Sequence, residues 1–303
     1  MASIPLLATQ GVQLANFSGG AIASFAVSNH RVYFEDGRAL RSFARDGTGV
    51  QTHRGDTYFE LLDANATHLI GWSRFEEASL ELFELSSLAL DPVASFHAAA
   101  LDFARLTPKQ LVISRYTFPR RRTIDVIDLR SFATRFSIDL DRAAGDGPWV
   151  DGLLVDDALW LSPTPTQRQR LDVLDGTLVT YEAGLTDLAH SSRFVAHLAE
   201  DGALETRPVM PHGRAARFVP IGRDVTIRSA FALANDRFLV LDSLHRLSVV
   251  AVDPPVLLAA EQLVTGRAVE LSAIEVVSGC IVVDCDEASA LAPLDAAPIV
   301  VES

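Results

Sequence analysis

Short apolar segments recur along the chain, each preceded by a small polar turn. RVYF at 31–34 is one such segment, and RFLVLD at 237–242 is another, two hundred residues later. Seven segments align on one anchor residue each: Val32, Leu69, Leu111, Leu159, Phe194, Phe238 and Ile281. The anchors are 35 to 48 residues apart, and self-similarity at such a period is the sequence signature of a repeat architecture.

Further strand patterns surround the anchors. After most of them, apolar and polar residues alternate up to a turn signal, as in TIDVIDLRSF at 123–132 and RLSVVAVDP at 246–254. Such alternation indicates a half-buried strand. A fourth short segment then follows, for example LVTYEA at 178–183. Together with the alternating residues before each turn, these patterns predict four strands in every repeat of about 42 residues. A β-propeller blade has the same number of strands and a similar length.

The combination of a small turn, an apolar triplet and an L-x-V-x-D strand resembles the broad superfold of bacterial seven-bladed β-propellers, with repeats of the YVTN or WD40 type. The resemblance covers nearly all of the chain, although the GH and WD dipeptides of WD40 repeats are missing. It implies an all-β fold of seven four-stranded antiparallel blades. It implies no particular activity, because propellers carry many unrelated functions.

The fifth repeat fits less well than the others. TDLAHSSRFVAHLAEDG can also form a helix that ends at Gly202, and two prolines interrupt the following ETRPVMPHGRAARF. The alternative fold is therefore six blades with a helical insertion near 184–202. A propeller closes its ring by pairing the two ends of its chain. We expect the N-terminal strand at about 3–16 to join the last blade, within one domain spanning 1–303.

Composition and charge limit the classes of binding partner and the cellular compartment that the sequence predicts. The formal charge of −13 and the pI near 5.0 argue against a nucleic-acid binder or a membrane-surface binder, since both need a basic face. The N-terminus lacks the positive region of a secretory signal. Cys280 and Cys285 have odd spacing along one apparent strand and would point to opposite faces. These features predict an acidic cytoplasmic protein, and the strong preference for arginine over lysine is typical of a GC-rich bacterial genome.

A search for catalytic motifs finds little. The phosphate-loop, dinucleotide, α/β-hydrolase, zincin and C-x-x-C patterns do not occur. The pairs Asp139/Asp141 and Asp284/Asp286 begin like calcium loops but lack the third oxygen ligand. The eight histidines have no metal-ligand spacing. The sequence therefore predicts no cofactor and no metal, and it leaves the oligomeric state open.

Arginine and aromatic residues cluster in the predicted loops of blades two to four. Connections between blades and between second and third strands emerge on one propeller face, where such side chains form interface hot spots. The candidate binding residues are Arg74, Phe75, Tyr116, Phe118, Arg120, Arg121, Arg122, Trp149 and Arg168. In the alternative interpretation, the aromatic residues cover the blade tops, and the protein's own carboxylates relieve the repulsion within Arg120–Arg122.

These observations favour a non-enzymatic interaction or scaffold module that docks a protein partner around the central channel. One alternative is a metal- or carboxylate-dependent hydrolase or lyase at the channel mouth, with Asp56, Asp146, Asp151 and Arg223 as candidates. Another alternative is a small-ligand or glycan binder that uses Trp149.

Overall fold

In the computed structural model, every regular element of the described residues is a β-strand. The described residues are 24–28, 30–35, 39–44, 49–55, 59–73, 79–86, 92–117, 121–141, 150–164, 167–182, 184, 187–209, 214–233, 235–264, 274–277, 280–283, 290–294 and 296–302. The helical insertion near 184–202 is wrong, because Asp187–His190 and Phe194–Leu198 are strands. The predicted N-terminal strand at 3–16 lies outside the described residues.

The first three sheets are four-stranded antiparallel meanders whose strands follow chain order. The first contains β1 (Ser24–Val27), β2 (Arg31–Glu35), β3 (Ala39–Ala44) and β4 (Gln51–Gly55). The second contains β5 (Phe59–Ala64), β6 (His68–Ser73), β7 (Ser79–Glu84) and β8 (Ala94–His97). The third contains β9 (Leu101–Leu106), β10 (Gln110–Thr117), β11 (Arg121–Asp128) and β12 (Thr134–Asp141).

The next three sheets repeat this order. The fourth contains β13 (Val150–Val155), β14 (Ala158–Thr164), β15 (Gln167–Asp172) and β16 (Leu178–Glu182). The fifth begins with β17 (Asp187–His190), β18 (Phe194–Leu198), β19 (Leu204–Pro208) and β20 (Ala216–Pro220). The sixth begins with β21 (Ile227–Leu233), β22 (Arg237–Asp242), β23 (Arg246–Val252) and β24 (Pro255–Val264).

The last strands depart from the predicted seventh blade. β25 (Ile274–Val277) and β26 (Cys280–Val283) form a hairpin. β27 (Ala290–Pro293) instead pairs with β24, and β28 (Ile299–Glu302) pairs with β20. The described residues thus form six sheets of four or five antiparallel strands rather than seven four-stranded blades. Two outer edges are covered because the end of the chain runs back along them.

The predicted repeat is confirmed in the six sheets. In each sheet the anchor residue lies in the second strand, and all six anchors from Val32 to Phe238 are buried. The alternating runs form third strands such as β11 and β23, and the fourth segments form outer strands such as β16 and β24. Because alternate side chains of a strand point to opposite faces, each central strand supplies apolar side chains to both neighbouring sheets.

The core consists of layers between successive sheets. One layer joins sheets two and three through side chains such as Ile70, Leu82, Leu111 and Ile113. The next layer joins sheets three and four, where Val112 and Ile124 meet residues of β14. The first strands pack innermost: β1 lies against β5, β5 against β9, β9 against β13, and β17 against β21.

Strand direction defines two ends of this assembly. At the lower face, the first strand of each sheet ends and the second begins, as at 156–157 and 191–193. At the upper face, the second strand ends and the third begins. Third strands end at the lower face, so the turns 129–133 and 173–177 also lie there.

Candidate binding face

The structure describes four of the nine predicted binding residues, and these four lie toward the upper face. Tyr116 lies near the end of β10, Arg121 and Arg122 begin β11, and Arg168 lies in β15. Arg74, Phe75, Phe118, Arg120 and Trp149 lie outside the described residues. The expectation that all nine are loop residues is wrong for these four. Tyr116 pairs with Arg122 and Thr117 with Arg121 in the β10–β11 ladder, and Arg168 pairs with Tyr181 in the β15–β16 ladder.

Arg122 belongs to the core rather than to a solvent-exposed loop. Its side chain is 0% exposed, and its Nη2 lies 2.5 Å from Oδ2 of Asp102 on β9. The guanidinium also lies 5.6 Å from the centroid of the Phe103 ring, within the range of a cation–π contact. Ser114 donates a hydrogen bond from Oγ to the same Asp102 oxygen, at 3.0 Å. A charge buried in this way is tolerated because it is paired.

Arg121 points to the opposite side of the same strand and is exposed. Its guanidinium forms an ion pair with Asp139 on β12, which also accepts a hydrogen bond from Thr123 Oγ1 at 2.7 Å. Further along this side, Asp125 forms an ion pair with Arg115. The protein's own carboxylates therefore relieve the charge of Arg121 and Arg122, as the alternative interpretation expected.

Among the paired strands that the structure describes, the β10–β11 ladder continues furthest past its anchor. β10 continues six residues past its anchor Leu111, whereas the second strands of sheets one, two, four and six end three, four, five and four residues past theirs. The hairpin end carries Tyr116 and the exposed Arg121.

At the lower face, sequence reasoning missed a hydrogen-bond network between sheets five and six. Asp236, in the β21–β22 turn, is buried and accepts bonds from Ser191 Oγ at 2.8 Å, Ser192 Oγ at 3.0 Å and Arg193 N at 3.0 Å. Arg193 Nε donates to its second oxygen at 2.5 Å. Burial works to raise the pKa of Asp236, but these bonds outweigh it and hold the pKa below its usual range.

Other turns of the lower face are joined in the same manner. Asn65 donates from Nδ2 to the carbonyl oxygen of Thr107 at 2.7 Å, which links sheets two and three. The backbone N–H of Asn235 donates to Asp156 at 2.9 Å, which links sheets six and four. Trp160 Nε1 donates to the carbonyl oxygen of Ser191 at 2.9 Å. The Asn and Asp residues of these turns were visible in the sequence as turn formers, but their reach to other sheets was not.

His190 lies beside this junction, on the inner strand β17. Its ring is 5.1 Å from the Trp160 ring, and its Nε2 is 3.9 Å from Asp187 Oδ2. Asp187 in turn pairs with Arg207 at 3.2 Å. Burial lowers the pKa of His190 to about 4; Asp187 opposes this effect, while Arg168 and Arg207 add to it. The imidazole is therefore neutral at physiological pH.

The residues of the enzyme alternative do not form a described site. Asp56 and Asp146 lie outside the described residues, Asp151 is in β13, and Arg223 is in the connection between sheets five and six. Within the described ranges, no three His, Cys, Asp or Glu side chains are grouped as metal ligands would be. The same ranges contain no helix long and apolar enough to cross a membrane.

Comparison with known proteins supports the fold. No protein-family model and no curated protein matches this chain. The crystal structure of Hsv2 from Kluyveromyces marxianus is similar at 10% identity, covering 77% of this chain and 77% of that chain with a TM-score of 0.52. Hsv2 from Kluyveromyces lactis is similar at 12% identity, covering 76% and 74% with a TM-score of 0.50. Both are β-propellers, and at this identity the likeness shows the propeller fold alone.

Proposed function

We propose that this protein is a non-enzymatic interaction module that docks a protein partner through the end of the β10–β11 hairpin at the upper face. The observation that carries the proposal is the paired length of this hairpin, in which β10 continues six residues past its anchor. Because the backbone stays paired up to Thr117 and Arg121, the hairpin presents its side chains to a partner at little cost in conformational entropy. The hairpin sequence YTFPRR at 116–121 combines aromatic and arginine residues, which are enriched among interface hot spots.

The internal contacts of sheet three support the same assignment. The Arg122–Asp102 pair holds β11 to the inner strand β9, directly beneath the hairpin end. The Arg121–Asp139 pair lies at the surface, where a partner carboxylate can replace Asp139. Arg122 thus fixes the hairpin in place, and Arg121 remains accessible for binding.

The proposal is tested by affinity capture from the native host with a triple variant, Phe118→Ser, Arg120→Ser and Arg121→Ser, that leaves the buried Arg122 in place. Loss of two hot-spot residues at about 2 kcal/mol each should reduce partner capture by more than about 100-fold. The circular dichroism melting curve should stay close to that of the wild type, because Arg121 is exposed.

The matched control is Arg214→Ser, which removes an exposed arginine from the connection between β19 and β20 at the lower face. It should retain every captured partner. Equal capture by the triple variant and the control, with both folded, would remove the hairpin end from the binding site.

A further inference from the structure

Two strands near the end of the chain hold neighbouring sheets at their outer edges. β27 pairs with the end of β24 on sheet six. β28 pairs with β20 on sheet five, where Ile299 lies beside Pro220 and Glu302 beside Arg217. These two strands are here called the clasp, because the short connection 294–298 joins them across the junction of sheets five and six.

Alternate side chains of β28 have different surroundings. Ile299 is 4% exposed and belongs to the buried cluster between sheets five and six, against which Val301 also packs. Val300 is 48% exposed. Oε2 of Glu302 lies 3.3 Å from Nε of Arg217, and both side chains reach solvent. Ile299 is therefore the apolar anchor of the clasp, and the rest of β28 is held mainly through its backbone.

One residue of sheet five connects the clasp to the interior of sheet six. The backbone N–H of Ile221 donates to the carbonyl oxygen of Pro298 at 2.7 Å. Its carbonyl oxygen accepts a hydrogen bond from Arg246 Nη2 at 2.8 Å. Nε of the same arginine donates to Oδ2 of Asp242, a buried carboxylate, at 2.6 Å. The position of the clasp is thus coupled to both sheets.

The contacts that remain without the clasp would keep both sheets intact. Each sheet has four antiparallel strands of its own. Arg217 also forms ion pairs with Asp201 and Glu205, so departure of Glu302 leaves no cation without a carboxylate. The buried layer between the sheets retains its other apolar side chains, such as Phe218. Opening of the clasp therefore breaks two edge ladders and uncovers one well-buried side chain, far less than global unfolding does.

We propose that the clasp is a conformational device that opens as one unit while sheets five and six stay folded, and thereby uncovers the outer edges of β20 and β24. Uncovered edges present unpaired N–H and C=O groups, to which another strand can pair. The closed clasp protects these edges, and only the open state makes them available. This inference concerns a different part of the ring from the β10–β11 hairpin and is independent of the proposed partner site.

Residue-resolved hydrogen exchange on the full chain tests the proposal. The amides of β20 and β24 that face the clasp should exchange at least about 100-fold faster, relative to their intrinsic rates, than those of the central strand β22. Because one opening exposes both edges, their protection factors should agree within about threefold with each other and with those of β28.

Two substitutions in β28 separate the anchor from the strand that carries it. Ile299→Ala removes the buried anchor, so exchange at the edges of both β20 and β24 should become at least about tenfold faster. The amides of β22 should keep their protection. Val300→Ala truncates the exposed neighbour of the anchor and is the matched control. It should leave exchange in all of these strands unchanged within about threefold.

Three outcomes would overturn the proposal. The first is wild-type protection at the β20 and β24 edges as strong as that of β22, which would mean that the clasp opens only on global unfolding. The second is a different protection at the two edges, which would mean that β27 and β28 open separately. The third is an effect of Ile299→Ala no larger than that of Val300→Ala, or one confined to β28. The first two outcomes are read from the wild type and depend on no variant.

Discussion

Two aspartates of this propeller accept similar hydrogen bonds but differ in their burial and in the sheets that they connect. Asp236 and Asp139 each accept hydrogen bonds from a hydroxyl group and from an arginine. Asp236 is buried, and its partners belong to a different sheet, between 43 and 45 positions away in the chain. Asp139 is exposed, and its partners lie on the adjacent strand of its own sheet. Asp236 therefore joins two sheets, whereas Asp139 forms contacts only on the surface of its own sheet.

The difference indicates where polar groups stabilise this fold. Each sheet already has its own backbone ladder, so an exposed side-chain pair within a sheet adds little. Neighbouring sheets meet mainly through apolar side chains, which fix no particular angle or register. Buried hydrogen bonds between turns supply that specificity, and their loss leaves donors without partners.

The largest expected effect follows from removing Asp236. Asp236→Ala leaves the buried hydroxyl of Ser191, the partly buried hydroxyl of Ser192 and the backbone N–H of Arg193 without their shared acceptor, and should lower the free energy of unfolding by about 3 to 5 kcal/mol. Urea denaturation measures this change. Asp139→Ala is the matched control and should leave the midpoint nearly unchanged. An equal effect of the two substitutions would contradict the distinction between a carboxylate that links two sheets and one that is exposed on a single sheet.

The adjacent arginines of β11 give a second, smaller contrast. Arg122→Ala leaves Asp102 partly buried without its cation and opens space beside Phe103, so we expect a loss of about 2 to 4 kcal/mol. Arg121→Ala should change the urea midpoint little. Restoration of stability by the double variant Arg122→Met with Asp102→Leu would show that the pair supplies packing volume rather than specificity.

The sequence predicted what is local in this fold. Alternation within each repeat is set by which strand face is buried, so the anchors and the four-strand order could be read directly. The burial of Arg122 could also be predicted, because this residue continues the alternation of Ile124 and Val126 back toward the hairpin end. Its charge favours a solvent-exposed loop, whereas its position in the alternation favours the buried face of the strand, and the position decides.

Contacts between distant parts of the chain could not be read in this way. The pattern of β27 and β28 suits any exposed sheet edge, so nothing in ALAP or IVVE predicts pairing with β24 and β20. The turn at Asp236 was recognised as a turn, but its bonds to Ser191–Arg193 depend on how two sheets pack.

The smallest expected effect concerns pH and the junction of sheets four and five. Because burial lowers the pKa of His190 to about 4, the unfolded chain binds a proton at a higher pH than the folded one. The stability that the neutral His190 contributes is therefore present above about pH 6.5 and is lost as pH falls toward 4. The loss should be on the order of 1 to 3 kcal/mol, at about 1.4 kcal/mol per pKa unit. Asp63, whose pKa burial raises to about 6, acts in the opposite direction, so the wild-type profile alone is not diagnostic.

The difference in the free energy of unfolding between wild type and His190→Gln, measured by urea denaturation from pH 7 to pH 4, isolates the histidine and should shrink as pH falls. His97→Gln, at an exposed position of the outer strand β8, controls for the substitution itself. A His190→Gln difference that stays constant across this range would show that the imidazole does not titrate within the junction.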